Sequence, residues 1–272
     1  RVSMDFFEEI AKLRVARKLW CDLLRSRYGV TDAKASRLRI HVVTAGSSMT
    51  YQQPLNNLVR GTLMALASVL GGVQSLGVSG YDEALSIPSE HAHQMSLRIQ
   101  QILQHETNVT AVADPLGGSY FIERLCADLE GRAWTFFEEI QAAGGFLAAL
   151  DSGWLHQRAA SNQSRWYGEL ERGERTIVGV TDFTGDVNPH VIDGFIGTSD
   201  AFDQATTRLA ALRRERDGAA TAHALRDLAT CCRGDENLIP AMMAAVAADA
   251  TLGEIGTVFR DVFGDWDTPI PV

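Results

Sequence analysis

The chain has 272 residues, 46% hydrophobic and 22% charged, with a formal net charge of -9 and a pI near 5.3. This is the composition of a globular chain with a buried core, and its acidity excludes nucleic acid as an expected partner, because an acidic surface repels phosphate backbones. A local basic pocket for a phosphorylated small molecule stays open. No stretch approaches the ~20 consecutive apolar residues of a membrane span. The four cysteines, Cys21, Cys126, Cys231 and Cys232, form no C-x-x-C pair, and they read as reduced structural thiols of a cytoplasmic protein. No signal peptide is visible, and the opening at Arg1 without an initiator methionine is expected of a piece of a longer polypeptide.

Along the chain, residues 5–28 predict a helix. Phe6, Phe7, Ile10, Leu13, Leu19, Leu23 and Leu24 recur near helical spacing. Glu8 and Glu9 lie early and Arg25 and Arg27 late, as the helix dipole favours, and Gly29 ends the pattern. Residues 38–44 predict a strand, 55–70 an apolar helix closed by Gly71 and Gly72, 73–79 a second strand and 90–106 a long helix. That alternation argues for parallel βα units. It stops near residue 120, whereas an eight-stranded barrel takes roughly 250 residues, so less than a full barrel is in view.

The remainder turns helical. Residues 120–143 predict a long helix, 146–172 one or two more, and 176–180 a short strand. Residues 182–200 are rich in Gly, Asp, Pro and Thr and read as a linker. Residues 202–263 predict three or four Ala-rich helices, and the Pro-interrupted tail 265–272 reads as extended.

In βα barrels, functional residues collect at the C-terminal ends of strands and in the loops that follow. Two stretches qualify here: 41–51 and 74–88. His41 shares one strand face with Arg39 and Val43, by alternation. Spacing alone favours a core histidine satisfied by hydrogen bonds over a donor to a carbonyl or phosphate. Asp82 reads as a helix cap. Glu83 is either a solvated first-turn acid or an acceptor facing a ribose or substrate hydroxyl. In Asp114-Pro-Leu-Gly-Gly-Ser-Tyr120, Ser119 reads as a cap, and the structural reading outweighs an anion-binding one. The histidines form no metal-like cluster, and no nucleophile elbow, P-loop or complete dinucleotide fingerprint occurs.

Several ordered blocks resemble one family. Asp5-Phe-Phe-Glu-Glu-Ile-Ala-Lys-Leu-Arg-Val-Ala-Arg-Lys-Leu-Trp20 is similar to a signature helix of the adenosylcobalamin-dependent acyl-CoA mutases, the methylmalonyl-CoA mutase family. Leu55-Asn-Asn-Leu-Val-Arg60, Gly71-Gly-Val-Gln-Ser-Leu76, Tyr81-Asp-Glu-Ala-Leu85, Arg98-Ile-Gln-Gln-Ile-Leu103, Ala113-Asp-Pro-Leu-Gly-Gly-Ser-Tyr120, Gly144-Gly145 and Ile177-Val-Gly-Val180 continue in the same order. Thr251-Leu-Gly-Glu-Ile255 and Val262-Phe-Gly264 resemble that family's helical tail.

The resemblance implies an α/β fold: the C-terminal portion of a (β/α)8 TIM barrel followed by a mainly helical C-terminal region. Residues 1–120 would be the barrel part, 121–200 a helical extension and linker, and 201–272 a helical tail. It implies radical carbon-skeleton rearrangement of an acyl-CoA thioester, in which the cofactor carries the radical chemistry and the protein binds, orients and shields. By the same resemblance His41 is the catalytic, barrel-lining histidine, and Arg1, Ser3 and Val43 join it in substrate binding. Gly46, Glu83, Ala84 and Ser86 meet the adenosylcobalamin, with Glu83 reaching the adenosyl ribose. The cobalamin loop motif D-x-H-x-x-G is absent from this sequence, His190 and His223 standing in the wrong context. A separate small cobalamin-binding subunit, and hence a hetero-oligomer, is therefore expected.

Two departures stand out. Val43 occupies a position where the family usually has Gln, and Ser75-Leu-Gly-Val-Ser79 replaces Ser-Leu-His-Thr-Asn. Both suit a less polar or larger acyl group than methylmalonyl, or a homologue that binds acyl-CoA or serves in assembly without catalysis. An unrelated barrel hydrolase using Glu83 would need a second acid at a strand end, and none is present.

Overall fold

A computed structural model describes residues 1–185, 200–267 and 269. They fall into two compact units, one within Arg1–Phe195 and one within Ile196–Pro269. The described residues are mainly helical with one small parallel sheet, an arrangement compatible with an α/β fold.

The first unit opens with α1 (Phe6–Tyr28), which ends where Gly29 adopts φ 62° and its N–H turns back to the Leu24 carbonyl. A left-handed residue just past a helix is what glycine permits at least cost. Strand β1 (His41–Val43) pairs in parallel with β2 (Ser75–Gly77), matching His41 with Ser75, Val42 with Leu76 and Val43 with Gly77. Val2 adds a parallel bridge to Thr44 on the other edge of β1. Helix α2 (Asn56–Leu70) joins the two strands, and α3 (Glu90–Glu106) follows β2.

Both strands are shorter than their sequence patterns predict, because side chains replace the ladder at each end. The Ile40 N–H donates to Gln74 Oε1 at 2.7 Å, and the Ser79 N–H donates to Thr44 Oγ1 at 2.8 Å.

One face of the sheet is core. Val2, Val42, Ala45 and Met49 pack with Ile10 and Leu13 of α1 and with Met64 and Ala67 of α2. Ala65, Ile99 and Leu103 extend this packing between α2 and α3. Close helix approach explains Gly71, where a Cβ would fall 2.6 Å from Leu13 Cδ1.

Helix α4 (Tyr120–Ala142) packs on α1, and the short α5 (Phe146–Asp151) leads into α6 (Trp154–Glu171). The predicted cap Ser119 stands at the start of α4 but makes no side-chain cap bond. Instead Glu123 reaches back to the Gly118 N–H at 2.9 Å, and Arg14 bridges Asp114 at 3.1 Å and Glu123 at 2.9 Å. The loop is therefore a brace.

The expected strand at 176–180 is a turn carrying a single bridge, Val178 to Asp182. Gly179 has φ 81° and its N–H donates to the Asp182 carbonyl at 2.7 Å, which folds the segment on itself and leaves no strand to pair. The predicted linker at 182–200 falls mostly on 186–199, outside the described residues, as do 268 and 270–272 of the predicted extended tail.

The described residues of the second unit hold four helices: α7 (Ala201–Glu215), α8 (Gly218–Cys232), α9 (Leu238–Ala247) and α10 (Leu252–Phe263). Leu228, Cys232, Ala245 and Ile255 form its core. No helix among the described residues is long and apolar enough to cross a membrane, and all four cysteines are unpaired.

Candidate active site

The face of the sheet opposite the core carries half of the eight site residues singled out by sequence. Alternation puts His41 and Val43 of β1 and Ser75 of β2 on this exposed side, while Val42 and Thr44 are buried behind it. The Val2–Thr44 bridge sets Val2 in the core and turns Arg1 and Ser3 to the same side as Val43. A one-residue slip would reverse every one of these, so the buried Val2 and Val42, with the half-buried Leu76 packed against the same core, set the register that exposes the others.

His41 is not the buried, satisfied histidine that spacing favoured. It is exposed, and its Nδ1 lies 2.6 Å from Ser75 Oγ across the register pair. With Nδ1 so engaged, Nε2 has no hydrogen-bond partner among the described residues. Ser75 is the one residue of this group that sequence reading did not single out. Its signal was its place directly opposite His41 once the two strands pair in parallel.

Ser3 is engaged within the fold. Its N–H and its hydroxyl both donate to Glu9 Oε1, at 2.9 and 2.6 Å, and Lys12 pairs with the other carboxylate oxygen. Burial pushes the Glu9 carboxyl up, but Lys12 and Ser3 outweigh it and hold the group below its ordinary range. Lys12 also donates to the Arg1 carbonyl at 3.0 Å, which fixes the backbone of Arg1 while its side chain stays exposed.

Two loops flank the C-terminal ends of the strands. Gly46 begins a short 3-10 turn, Gly46–Ser48, after β1. The Glu83 side chain lies directly on it, since a Cβ at Gly46 would sit 3.0 Å from Glu83 Oε1 and 3.2 Å from its Cγ. Glu83 and Ala84 are exposed. The Glu83 carboxylate has no hydrogen-bond or ion-pair partner among the described residues. Ser86 donates to the neighbouring Ile87 carbonyl at 2.9 Å.

Asp82 does act as a cap, though not within a helix of its own. It is fully buried, and its Oδ2 accepts from the Ser89 N–H at 2.8 Å, just where Ser89 itself caps α3. Tyr81 is buried beside it, with its hydroxyl 3.0 Å from His91 Nδ1. Burial and then the Asp82 charge push the phenol up.

A buried hub ties both loops to α2. Asn57 donates to the carbonyls of Thr50 and Tyr81, each at 2.9 Å, and accepts from the Thr50 N–H at 3.0 Å. Arg60 donates to Asn57 Oδ1 at 2.7 Å and to Thr50 Oγ1 at 2.8 Å, and its other nitrogen reaches the Val178 carbonyl at 2.7 Å. Burial pushes this guanidinium down, yet every contact it makes is to an oxygen acceptor, which keeps the buried cation hydrogen-bonded. Gln53 adds a bond to the Phe183 carbonyl at 3.1 Å. The Asn-Asn-x-x-Arg run at 56–60 thus positions the Gly46 and Glu83 loops together.

The methylmalonyl-CoA mutase family model matches residues 1–265. The chain belongs to this family. It is 38% identical over 272 residues to the methylmalonyl-CoA mutase of Rhizobium meliloti, covering 99% of this chain and 38% of that protein. It is 34% identical over 268 residues to the 2-hydroxyisobutanoyl-CoA mutase large subunit of Aquincola tertiaricarbonis, covering 98% of this chain and 48% of that subunit. The methylmalonyl-CoA mutase of Escherichia coli K12 is 34% identical over 268 residues, covering 98% and 37% respectively. The chain therefore spans less than half the length of these curated relatives. The family is adenosylcobalamin-dependent.

Proposed function

We propose that this chain is the later part of the barrel of an adenosylcobalamin-dependent acyl-CoA mutase large subunit, with the cobalamin carried by a separate domain or small subunit in a hetero-oligomer. On this reading β1, β2 and the segment around Val2 are adjacent strands of a (β/α)8 barrel, and the open face lines its interior. The observation that carries it is the convergence of His41, Val43, Arg1 and Ser75 on that one open face, with the Gly46–Glu83 contact at the strands' C-terminal end, in a chain matched over residues 1–265 by the family.

The residues present fit the cofactor. The unpartnered, exposed Glu83 carboxylate offers two acceptor oxygens to a ribose diol. The side chain missing at Gly46 lets Glu83 and a flat ring approach the backbone closely. When bound, adenosylcobalamin supplies the radical chemistry of the rearrangement.

The chain's own groups bind and orient. Ser75 holds His41 so that Nε2 donates to the thioester carbonyl, and a fixed donor aimed at a carbonyl polarises it most effectively where water is excluded. Arg1, beside Val43, meets an anionic or carbonyl part of the substrate. Ala84 and Ser86 continue the cofactor wall beyond Glu83. Binding energy from the CoA chain holds the acyl group in place on this face.

Electron paramagnetic resonance on the intact protein, assembled with its cobalamin-binding partner, adenosylcobalamin and a panel of acyl-CoA thioesters, tests this. One thioester should produce a coupled Co(II)–radical signal, and Glu83→Gln should weaken adenosylcobalamin binding by about tenfold, the scale of one charge-assisted hydrogen bond. Demonstrated assembly and CoA binding with no signal from any thioester would replace this reading by that of a non-catalytic acyl-CoA-binding homologue, which the apolar Val43 favours.

A further inference from the structure

The turn at 177–183 is closed on itself. The Gly179 N–H donates to the Asp182 carbonyl at 2.7 Å, and the Val180 and Thr181 N–H groups donate to the Ile177 carbonyl at 2.9 and 3.0 Å. The Ile177 N–H returns a bond to Thr181 Oγ1 at 2.8 Å. The strap so formed is clasped to the start of α2 at two points. Arg60 Nη2 donates to the Val178 carbonyl at 2.7 Å, and Gln53 Nε2 donates to the Phe183 carbonyl at 3.1 Å. Between the clasps lies Gly179, among the described residues the one buried residue of 172–185. It has φ 81°, and a Cβ there would fall 2.8 Å from Gln53 Cδ and Oε1. The turn and the close approach both require glycine.

The second clasp joins two strained residues, Gln53 at φ 45° and Phe183 at φ 55°. The left-handed region is uncommon for residues with a side chain, most of all a bulky one, and such residues persist only where surrounding contacts hold them. Those contacts lead inward. Through its other terminal nitrogen Arg60 donates to Thr50 Oγ1 at 2.8 Å and Asn57 Oδ1 at 2.7 Å. Asn57 holds the carbonyls of Thr50 and Tyr81, the latter two residues before Glu83. A guanidinium is a rigid plane, so a shift at Val178 reaches Thr50 and Asn57 through one stiff group. Strain favours release of the strap and the two clasps favour closure. Opposed in this way, they form an equilibrium that a molecule bound at the loops can bias.

We infer that the strap 177–183 is a latch on the cofactor-side loops, with Gly179 and Gln53 as positioning residues: closed, it fixes the Thr50 and Tyr81 loops through Arg60 and Asn57, and so couples its own state to binding at Glu83. This rests on the reading of Glu83 as a cofactor contact.

Hydrogen exchange and calorimetric titration with adenosylcobalamin, both on the intact protein assembled with its cobalamin-binding partner, test it. Gly179→Ala places a Cβ against the Gln53 amide at an unfavourable φ and should release the strap. Gln53→Gly tolerates the left-handed backbone and removes the second clasp, and it carries the test alone if the alanine variant does not fold. In either variant exchange should rise at the Thr50 N–H and at the Glu83 and Leu85 N–H groups, as well as within 177–183. Adenosylcobalamin affinity should fall about tenfold, the usual scale of coupling between linked elements. In the unaltered protein, bound adenosylcobalamin should slow exchange in the strap, as reciprocity requires. A rise confined to 177–183 overturns the latch, and if affinity still falls the strap meets the cofactor directly. Loops that loosen without loss of affinity also overturn it, provided Glu83→Gln weakens binding. If neither Glu83→Gln nor the strap variants weaken binding, the cofactor reading of the loops fails and the latch with it.

Discussion

The two compact units use their polar side chains in opposite ways. In the helical unit the strong polar contacts close helices. Asp217 caps α8 and Asn237 caps α9, and Thr251 and Glu254 form a reciprocal capping box at the start of α10. Glu254 is also held by both terminal nitrogens of Arg216, at 2.6 and 2.7 Å. In the sheet-bearing unit the buried polar hub of Asn57 and Arg60 is saturated in the same manner. The open face and its flanking loop are not: among the described residues His41 keeps one ring nitrogen in hand and Glu83 has no partner, and Val43 is exposed. Saturated polar groups hold a fold together, and unsaturated ones on an ordered surface are available to a ligand.

Ways to break that contrast run from core to surface. Ile10→Ala removes a fully buried side chain between α1 and the sheet and should cost about 3–4 kcal/mol, the usual range for a cavity of that size. Hydrogen exchange resolved along the chain should show the loss over α1, β1 and α2, with the helical unit at 200–267 unaffected. Asn57→Ala leaves the Thr50 and Tyr81 backbone groups without their partner and should cost about 2–3 kcal/mol. Exchange protection should be lost in both loops, near Thr50 and near Tyr81; loss in only one of them would show that Asn57 does not couple the two.

Glu254→Gln probes the other unit. It breaks the charge of the Arg216 pair and weakens the capping box, and it should lower the thermal stability of the helical unit by about 1–2 kcal/mol. Arg216, then the Thr251 N–H, hold the Glu254 carboxyl well below the usual carboxylate range. A depressed carboxylate contributes stability that is complete above its unfolded value and is lost as pH falls through the folded one. The melting temperature of the helical unit should therefore drop on acidification below the ordinary carboxylate range, and Glu254→Gln should flatten that drop. An equally steep acid dependence in the variant would assign it to other carboxylates.

The helices were legible in the sequence because 3.6-residue periodicity and terminal signals are local: α3 spans the predicted 90–106, and α1 and α2 begin one residue inside their predicted starts. Strand ends were less legible, because Gln74 and Thr44 replace ladder bonds from another segment of chain. The turn at 176–180 misled for a related reason: β-branched residues suggest a strand, but Gly179 reverses the chain between them. At the site, alternation correctly placed His41 and Val43 on one face. It was silent on the side chain opposite His41, since a partner 34 residues away is set by register and not by spacing. The Ser3 hydroxyl points the same lesson, because Glu9 holds it across the first turn of a neighbouring element.

The smallest effect on stability should come from the open face, and it decides whether that face is functional. Ser75→Ala removes only the hydroxyl at 2.6 Å from His41 Nδ1, on an exposed surface, and should change folding stability by no more than about 0.5 kcal/mol. If Ser75 merely decorates the strand, nothing else should change. If it orients His41, the imidazole loses the bond that selects its tautomer and direction, and kcat with the preferred thioester should fall about tenfold or more while KM changes little. Ser75→Thr, which restores a hydroxyl at the same register position, should recover most of the rate. A His41→Ala variant should remove the sensitivity altogether, since Ser75 then has no ring to hold. Loss of rate in Ser75→Ala that persists undiminished on the His41→Ala background would show the serine acting on the substrate directly, and would move the polar row's role from orientation to contact.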